Sequence, residues 1–564
     1  MSQSAHNTTS QTALFRRPAS EVMHLERMGC SHPNRLSFLR TMLRRLHREN
    51  WKVDRPVWDV DATGSGHAVY RTRCGERTYS LVAFAHDLPP EKRSDRVIAT
   101  AWDATFTLFD GVPSAADIER LRGNIPKQEA GRVTETELSV SRANRSVRLW
   151  DHVVDRLARG QQPDADLALS VGYLMRTTAV YGSGKLGAAD RETTCARPEF
   201  RAPFQIEMLS VFLTRAFVMD LVEHLAALKS PDTATVMDPS LRRRFGIGNS
   251  TGLGMAPFLM NHPVLLNNWI AAREEALARV RNLPEAGAET VAGFLRLVSR
   301  AQINAATWRS EHPLQLEKVA SLRADLDRLA AHLTDVPITG PQPWNALWLW
   351  AEGALSEEGQ EQLVSLLLEP HAALVDDLSE ATRADESLAF AIDGAMPVAR
   401  VIALAQDVFG WALGTDWDAP QAQARVWYTS EEKLEPRLGE RAEEPIEPYE
   451  QPLSPGRDAA RMMADLATMP DGPVAAFLLR YPQHRHSVRR VQIAATHPYA
   501  EIRDNTISAQ MLPIDLLRAK LAFFGALHFD PRSDRWLRIN MFKGAPFPQD
   551  LAGGEADDWT YPPL

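Results

Sequence analysis

The sequence predicts an α+β protein that is predominantly α-helical, with a small antiparallel β-sheet near the N-terminus. Between Pro56 and Gly111, runs of β-branched and aromatic residues are separated by turn residues, as strands of a small sheet would be. From Ser114 onward, apolar residues recur every three or four positions, which is the period of a helix with one buried face.

Each predicted element follows from one of these two patterns. The strand-like runs number three or four, at 67–73, 78–84, 96–102 and 105–109. A short basic helix is expected at Ser37–His47 before the sheet. The principal helices are expected at Val147–Leu157, Leu167–Val180, Phe204–Leu228, Val264–Val280 and Leu314–Leu333, with further helices from Ala346 to Leu413.

Changes in composition along the chain suggest six regions. They are a flexible tail at 1–20, a small α+β region at 21–135, a helical domain with two glycine-rich loops at 136–335, a helical region at 336–440, an acidic proline-containing loop at 441–455 and a basic helical C-terminal region with a tail at 456–564.

The composition narrows the class of protein. A formal net charge of −9 makes nucleic acid an unlikely partner, although a local basic cleft is compatible with it. Three widely spaced cysteines give neither a disulfide framework nor a zinc motif. No signal peptide or membrane-spanning run is expected. We therefore expect a cytoplasmic protein that does not bind membranes, and a homo-oligomer is compatible with its many apolar helices.

The most informative segment is Arg242–Pro257, in which four glycines and three small polar residues follow three arginines. Glycine lets backbone amides approach a ligand, and consecutive amides can bind an anion. The predicted substrate-binding residues here are Arg243, Arg244, Gly248, Asn249, Ser250, Thr251 and Gly252.

Known loop motifs fit this segment poorly. The glycine spacing misses the dinucleotide-binding pattern by one residue, and no Gly-Lys-Ser/Thr closes a phosphate loop. Gly248 to Gly252 reads Gly-x-Ser-x-Gly, but we expect no apolar strand before it, so a nucleophilic Ser250 is disfavoured. The alternative is structural: the glycines permit a close helix crossing.

A second glycine-rich segment spans Tyr173–Gly187. Lys185 and Tyr181 are the predicted catalytic, proton-transferring residues, and Arg176 and Ser183 are predicted to bind the substrate. The alternative is again structural, because glycines commonly end helices and a lysine is favourable there. Ala179 stands where a phosphate loop requires glycine, which argues against an ATPase.

Two further groups have weaker support. Asn268, beside Asn267 and Trp269, is a predicted substrate contact. No metal is expected, and a weak alternative is a His/Glu metal site formed by His484, His486, His497 and Glu501, with His484 and His486 on one face of a strand. The neighbouring arginines suit an anion better than a cation.

Two functions remain open. The first is an enzyme, a lyase or transferase rather than an ATPase or serine hydrolase, which acts on a small anionic carboxylate or phosphate metabolite. The second is a non-catalytic helical scaffold or regulatory protein that binds an acidic partner or RNA through its basic C-terminal segment. The sequence identifies no cofactor.

Overall fold

The computed structural model describes most of the chain. The described residues are 15–89, 91, 101–124, 134–177, 194, 196–250, 255–308, 313–383, 391–419, 422, 427–429, 437–438, 451–503, 513–525, 528–530 and 538–553.

Helices make up most of this structure. They are Ala19–Val22, Phe38–Arg48, Ala115–Asn124, Trp150–Ala158, Ala165–Val171, Gln205–Lys229, Pro239–Arg243, Met255–Asn261, Pro263–Arg281, Ala288–Thr307, Pro313–Asp335, Pro343–Ala354, Glu357–Leu368, Ala372–Val375, Val398–Leu413, Pro455–Leu466, Val474–Arg480, Arg485–Thr496 and Pro513–Phe524.

The strands form two sheets. They are β1 (Lys52–Val60), β2 (Gly66–Cys74), β3 (Arg77–Ala85), β4 (Ala104–Asp110), β5 (Glu137–Arg145), β6 (Tyr173–Thr177), β7 (Gly246–Ser250), β8 (Trp427–Thr429), β9 (Arg437–Leu438), β10 (Gln451–Leu453), β11 (His528–Asp530) and β12 (Arg538–Met541). The larger sheet has the order β1-β2-β3-β4-β5-β6-β7-β12-β11, and the smaller has the order β10-β8-β9.

The predicted fold class is confirmed in its coarse form, because the structure is α+β and 57% helical. The prediction of a small antiparallel sheet was wrong. The main sheet has nine described strands and is mixed, since β6 and β7 pair in parallel while its other pairs are antiparallel. β11 and β12 join it from the C-terminal part of the chain, and local patterns cannot show such distant pairings.

The chain forms two compact units, each assembled from separate segments. The sheet unit comprises Ser31–Gly252, Ser299–Ala320 and Lys520–Leu564. The helical unit comprises Met1–Cys30, Leu253–Val298 and Ser321–Ala519. The region boundaries expected from composition remain a prediction.

The core of the sheet unit forms around the helix Gln205–Lys229. This helix packs against β2, β3, β4, β5 and β7 of the curled sheet. It is apolar on nearly all sides, as expected of a helix that is buried on most of its surface. Phe217 at its centre contacts the rings of Trp58, Tyr70 and Phe106 from three different strands. These contacts fix the helix against the sheet.

The helical unit is held in part by a buried ion-pair network. Arg17, within the predicted tail, is 2% exposed and binds both Glu274 (2.8 Å) and Glu361 (2.6 Å). Arg273 contacts the same two carboxylates, and Arg27 adds a contact to Glu361. The several cations hold the pKa of Glu361 below its usual value despite burial, so the carboxylate stays charged. Residues near the N-terminus are thereby joined to two helices of the helical unit.

Among the described residues, no helix has both the length and the apolar character needed to cross a bilayer.

The close approach of β7 and β12 gives a testable prediction. A Cβ at Gly246 would lie 2.3 Å from the carbonyl oxygen of Met541, so Gly246→Ala must push the two strands apart. We expect a loss of about 2–3 kcal/mol in the free energy of unfolding, measured by calorimetry. The matched control is Gly353→Ala in the helix Pro343–Ala354, where no atom lies within 4 Å of the new Cβ. A slight gain in the free energy of unfolding is expected there, because alanine favours a helix more than glycine does. Equal stability of the two variants would contradict the packing explanation.

Candidate functional site

The parallel pair β6–β7 brings together residues from both glycine-rich segments. Tyr173 lies opposite Gly246, and Arg176 lies opposite Gly248. One extra residue in β6 between these pairs forms an irregularity, which places both Tyr173 and Arg176 in register with glycines of β7. The sequence grouped Arg176 and Gly248 in one site, and the structure makes them neighbours.

A polar row crosses the sheet at this level. Asn144 on β5 pairs with Arg176, which pairs with Gly248, which pairs with Asn540 on β12. Paired residues share a face, and adjacent strands lie about 4.8 Å apart. Asn144, Arg176 and Asn540 are 3%, 6% and 1% exposed. Asn144 Nδ2 and Asn540 Oδ1 are buried without a hydrogen-bond partner in the described structure. Buried amides normally have such partners, so the row is a candidate for binding a polar group.

The glycines of β7 also have a structural explanation. A Cβ at Gly248 would lie 2.6 Å from the ring of Tyr173, and a Cβ at Gly246 would meet the backbone of β12. These two glycines therefore permit close packing. The expected loop is also absent at 246–250, because this part of the segment is a strand.

Asn249 links three elements of the sheet unit. Its Nδ2 donates to the carbonyl of Thr177 at 3.3 Å, and its Oδ1 accepts from Lys520 Nζ at 3.0 Å. Asn249 and Lys520 are 2% and 1% exposed. The buried amide thus connects β6 and β7 to Lys520, where the last segment of the sheet unit begins, which is a structural role.

The three arginines before β7 have different surroundings. Arg242 is paired with Asp220 (2.9 Å) and Glu223 (3.4 Å). The Arg243 backbone and side chain both contact Gly544. Arg244 is half-buried and lies near enough to Lys543 to lower the pKa of its amine. Of the predicted anion-binding arginines, Arg244 is therefore the one beside a second uncompensated cation.

Lys543 carries a buried amine. The residue is 8% exposed, and its amine forms no hydrogen bond or ion pair with the described residues. Burial, and to a smaller extent Arg244, lowers the pKa of Lys543 to about 8. A Cβ on Gly172, whose φ is +71°, would lie 3.4 Å from Lys543 Nζ and 2.5 Å from Asn540 Nδ2. Gly172 thus lets the backbone approach both donors.

These groups form an electropositive, donor-rich site. Lys543 and Arg244 are cations, and Asn540 Nδ2 is a donor that already binds the carbonyl of Val171 at 3.2 Å with one of its two hydrogens. The pKa of Lys543 shows no contribution from a carboxylate. A buried cation without a counter-ion is costly, and an anion bound beside it removes that cost. The arrangement suits a carboxylate or a phosphate.

Several predicted site residues lie outside the described residues, namely Tyr181, Ser183, Lys185, Thr251 and Gly252. Ser250 ends β7, so a strand does lead into the Gly-x-Ser-x-Gly stretch, contrary to our expectation. The expected helix Leu167–Val180 was also wrong in its second half, where the helix ends at Val171 and β6 follows.

Asn268 belongs to the helical unit, so the sheet-unit cluster does not include it. Its Nδ2 donates to the carbonyl of Arg383 at 2.7 Å, and its Oδ1 accepts from Asn267. These bonds indicate a structural role for the Asn268 amide on the helix Pro263–Arg281.

The weak metal alternative has no support among the described residues, where no group of His, Cys, Asp and Glu could hold a metal ion. His484 binds Asp465 at 2.6 Å, and Glu501 binds Arg490 at 2.7 Å. The expected strand carrying His484 and His486 was wrong, because His486 lies in the helix Arg485–Thr496.

The sequence analysis missed Lys520, Asn540 and Lys543. A signal for β12 exists, since Arg538-Ile-Asn-Met541 alternates polar and apolar residues as a strand with one buried face does. No pattern near Lys543 indicates that its amine is buried.

Comparison of the chain with protein-family models, curated proteins and solved structures gave no significant match.

The buried amine of Lys543 gives a pH-dependent prediction. Its folded pKa of about 8 lies below the unfolded value, so the unfolded chain binds more protons between about pH 8 and pH 10.5. Stability therefore rises with pH in this window. We measure the free energy of unfolding in urea for the wild type and for Lys543→Met. Between pH values below 8 and pH 10.5, we expect the wild-type value to rise by about 3 kcal/mol more than that of the variant.

Lys229→Met is the control, because it removes an exposed lysine that pairs with Asp155. A stability difference between wild type and Lys543→Met that stays constant with pH would contradict a buried, unpaired amine.

Proposed function

We propose that the chain is an enzyme that acts on a small carboxylate or phosphate, which it binds in the sheet unit beside Lys543 and Arg244. The observation that carries this proposal is the Lys543 amine, which is buried without a described anionic partner. Strongly perturbed pKa values are common at functional sites, and arginine with lysine is a frequent pair for carboxylate and phosphate recognition.

The polar row extends this site along the sheet. Asn540 carries an unsatisfied oxygen, and Arg176 lies two strands away from it in the same row. A substrate with an anionic group at Lys543 could place a hydroxyl or amino group on Asn540 Oδ1. This combination favours a polar metabolite over a simple inorganic anion.

The chemical step is assigned to the segment after β6. Lys185 and Tyr181 follow β6 in the sequence, whereas Arg244 precedes β7 and Lys543 follows the antiparallel β12, so the anion site lies at the amino end of the parallel pair β6–β7. A proton-transfer role for Lys185 and Tyr181 requires the segment after β6 to return to that end. We propose these two residues as the proton-transfer groups of a lyase or transferase in a cytoplasmic protein. We also propose that the protein forms a homo-oligomer, which native mass spectrometry tests.

The alternative scaffold function has less support. Internal ion pairs already engage part of the basic C-terminal segment, since His484 binds Asp465, Arg490 binds Glu501 and Arg503 binds Asp407. These charges are partly neutralised within the helical unit. An acidic partner or RNA would have to compete with them.

Anion binding is tested by calorimetric titration with phosphate and with citrate at constant ionic strength. We expect Lys543→Met to weaken binding at least about tenfold, because it removes the charge that faces the anion. The control Lys229→Met should bind as the wild type does. Native mass spectrometry of the same preparations would show a retained ligand and the number of subunits. Equal affinity of wild type and Lys543→Met for both anions would refute the site.

Binding should also depend on pH through Lys543. Sulfate is a suitable probe because its charge is constant between pH 6 and pH 10. We expect its affinity to fall above about pH 8, approaching about tenfold per pH unit, as the amine loses its proton. The Lys543→Met variant should show no such fall. A wild-type affinity that does not change across this range would contradict a role for the amine.

A further inference from the structure

A cavity in the helical unit is lined by none of the residues of the anion site. It is a small cavity that is partly open to solvent, so a ligand bound there would extend out of it. Its walls are mostly apolar and are formed by Leu259, Met260, Phe409, Trp411, Pro455 and Ile502. Arg490 and Glu501 also line it. The cavity thus combines apolar walls with a few polar groups, which is typical of ligand sites.

The charged pair in this cavity is balanced and fixed. Arg490 Nη2 donates to Glu501 Oε2 at 2.7 Å, and Arg490 Nη1 donates to the carbonyl of Met260. Glu501 is 6% exposed. Burial raises the pKa of Glu501 against the effect of Arg490, so the two charges neutralise each other once Glu501 is ionised. A charged ligand would then bring an unpaired charge into a buried place. The pair therefore favours a neutral ligand.

Hydrogen-bond donors and an acceptor around the cavity lack partners among the described residues. Glu501 Oε1 is a buried acceptor, and Trp411 Nε1 and Arg490 Nε are buried donors, all without a partner in the described structure. Each such group costs free energy unless a ligand or water satisfies it. A molecule with one donor and one acceptor would satisfy both kinds.

The local backbone places the indole of Trp411 against the cavity. The helix Val398–Leu413 is interrupted at Phe409, whose φ and ψ are −114° and 18°. A Cβ at Gly456 would lie 2.5 Å from Trp411 Cη2, so the absence of a side chain there admits the ring.

From these contacts we infer that the cavity is a binding site for a small, neutral, mostly apolar molecule that carries an amide group. The amide N–H₂ donates to Glu501 Oε1, and the amide oxygen accepts from Trp411 Nε1 or Arg490 Nε. The apolar part of the molecule lies against Phe409, Leu259 and Ile502.

Three probes of similar shape and different charge test this site: benzamide, benzoate and benzylammonium. Binding to the full chain is measured by saturation-transfer NMR and calorimetry. We expect benzamide to bind more tightly than the two charged probes. Trp411→Phe keeps the ring but removes the donor, and should weaken benzamide binding about tenfold. The matched control is Trp417→Phe. The indole N–H of Trp417 already donates to the carbonyl of Ala412 at 3.0 Å, so this variant should bind benzamide as the wild type does.

Glu501→Gln provides a readout that a folding defect would not produce. With Arg490 holding the amide oxygen, the Gln side chain presents its N–H₂ in place of Oε1, so the free groups of the cavity become donors. We expect the preference to reverse, with benzoate bound more tightly than benzamide. Absence of benzamide binding to the wild type, equal binding by wild type and Trp411→Phe, or an unchanged preference in Glu501→Gln would each overturn the proposal.

Discussion

The arrangement of the sheet unit depends on Arg215, a fully buried guanidinium that forms no ion pair with a described carboxylate. It donates instead to the carbonyls of Phe245 (2.7 Å), Ala545 (2.9 Å), Pro546 (3.3 Å) and Arg243 (3.1 Å). Burial lowers its pKa, yet arginine keeps its charge in proteins, so these carbonyl dipoles must stabilise it. One side chain thereby joins the central helix to the residues before β7 and after β12.

This constraint also explains why cations gather at one end of the sheet. Holding residues 243–245 and 545–547 on one guanidinium brings the neighbouring Arg244 and Lys543 together. Their mutual repulsion opposes folding, and no described carboxylate relieves it for Lys543. A cluster of cations that destabilises the fold suggests a functional role, and its chemistry favours anion binding.

Much of the architecture could be predicted from local patterns, and the site could be predicted in part. The helix Gln205–Lys229 and strands β2 to β4 carry strong periodicity, and their observed bounds lie close to the predicted ones. β6 and β7 are five-residue strands beside helices. A helical period masked β6, and the glycines of β7 indicated a loop. Glycines and arginines are visible in the sequence, so Arg176, Gly248 and Arg244 were predicted as one site, and the structure pairs Arg176 with Gly248. Lys543 was missed because burial results from contacts between distant segments, which a single sequence does not show.

The position of β12 has a consequence for how the protein is made. β7 ends at Ser250, but its neighbour in the sheet begins only at Arg538, after most of the helical unit. During translation, the edge of β7 that faces away from β6 has no partner until residues 538–541 leave the ribosome. An open strand edge is prone to pair with other chains. The nascent protein therefore passes through an interval in which a chaperone bound to this edge would protect it from aggregation, and slow translation of the residues between β7 and β12 would lengthen that interval.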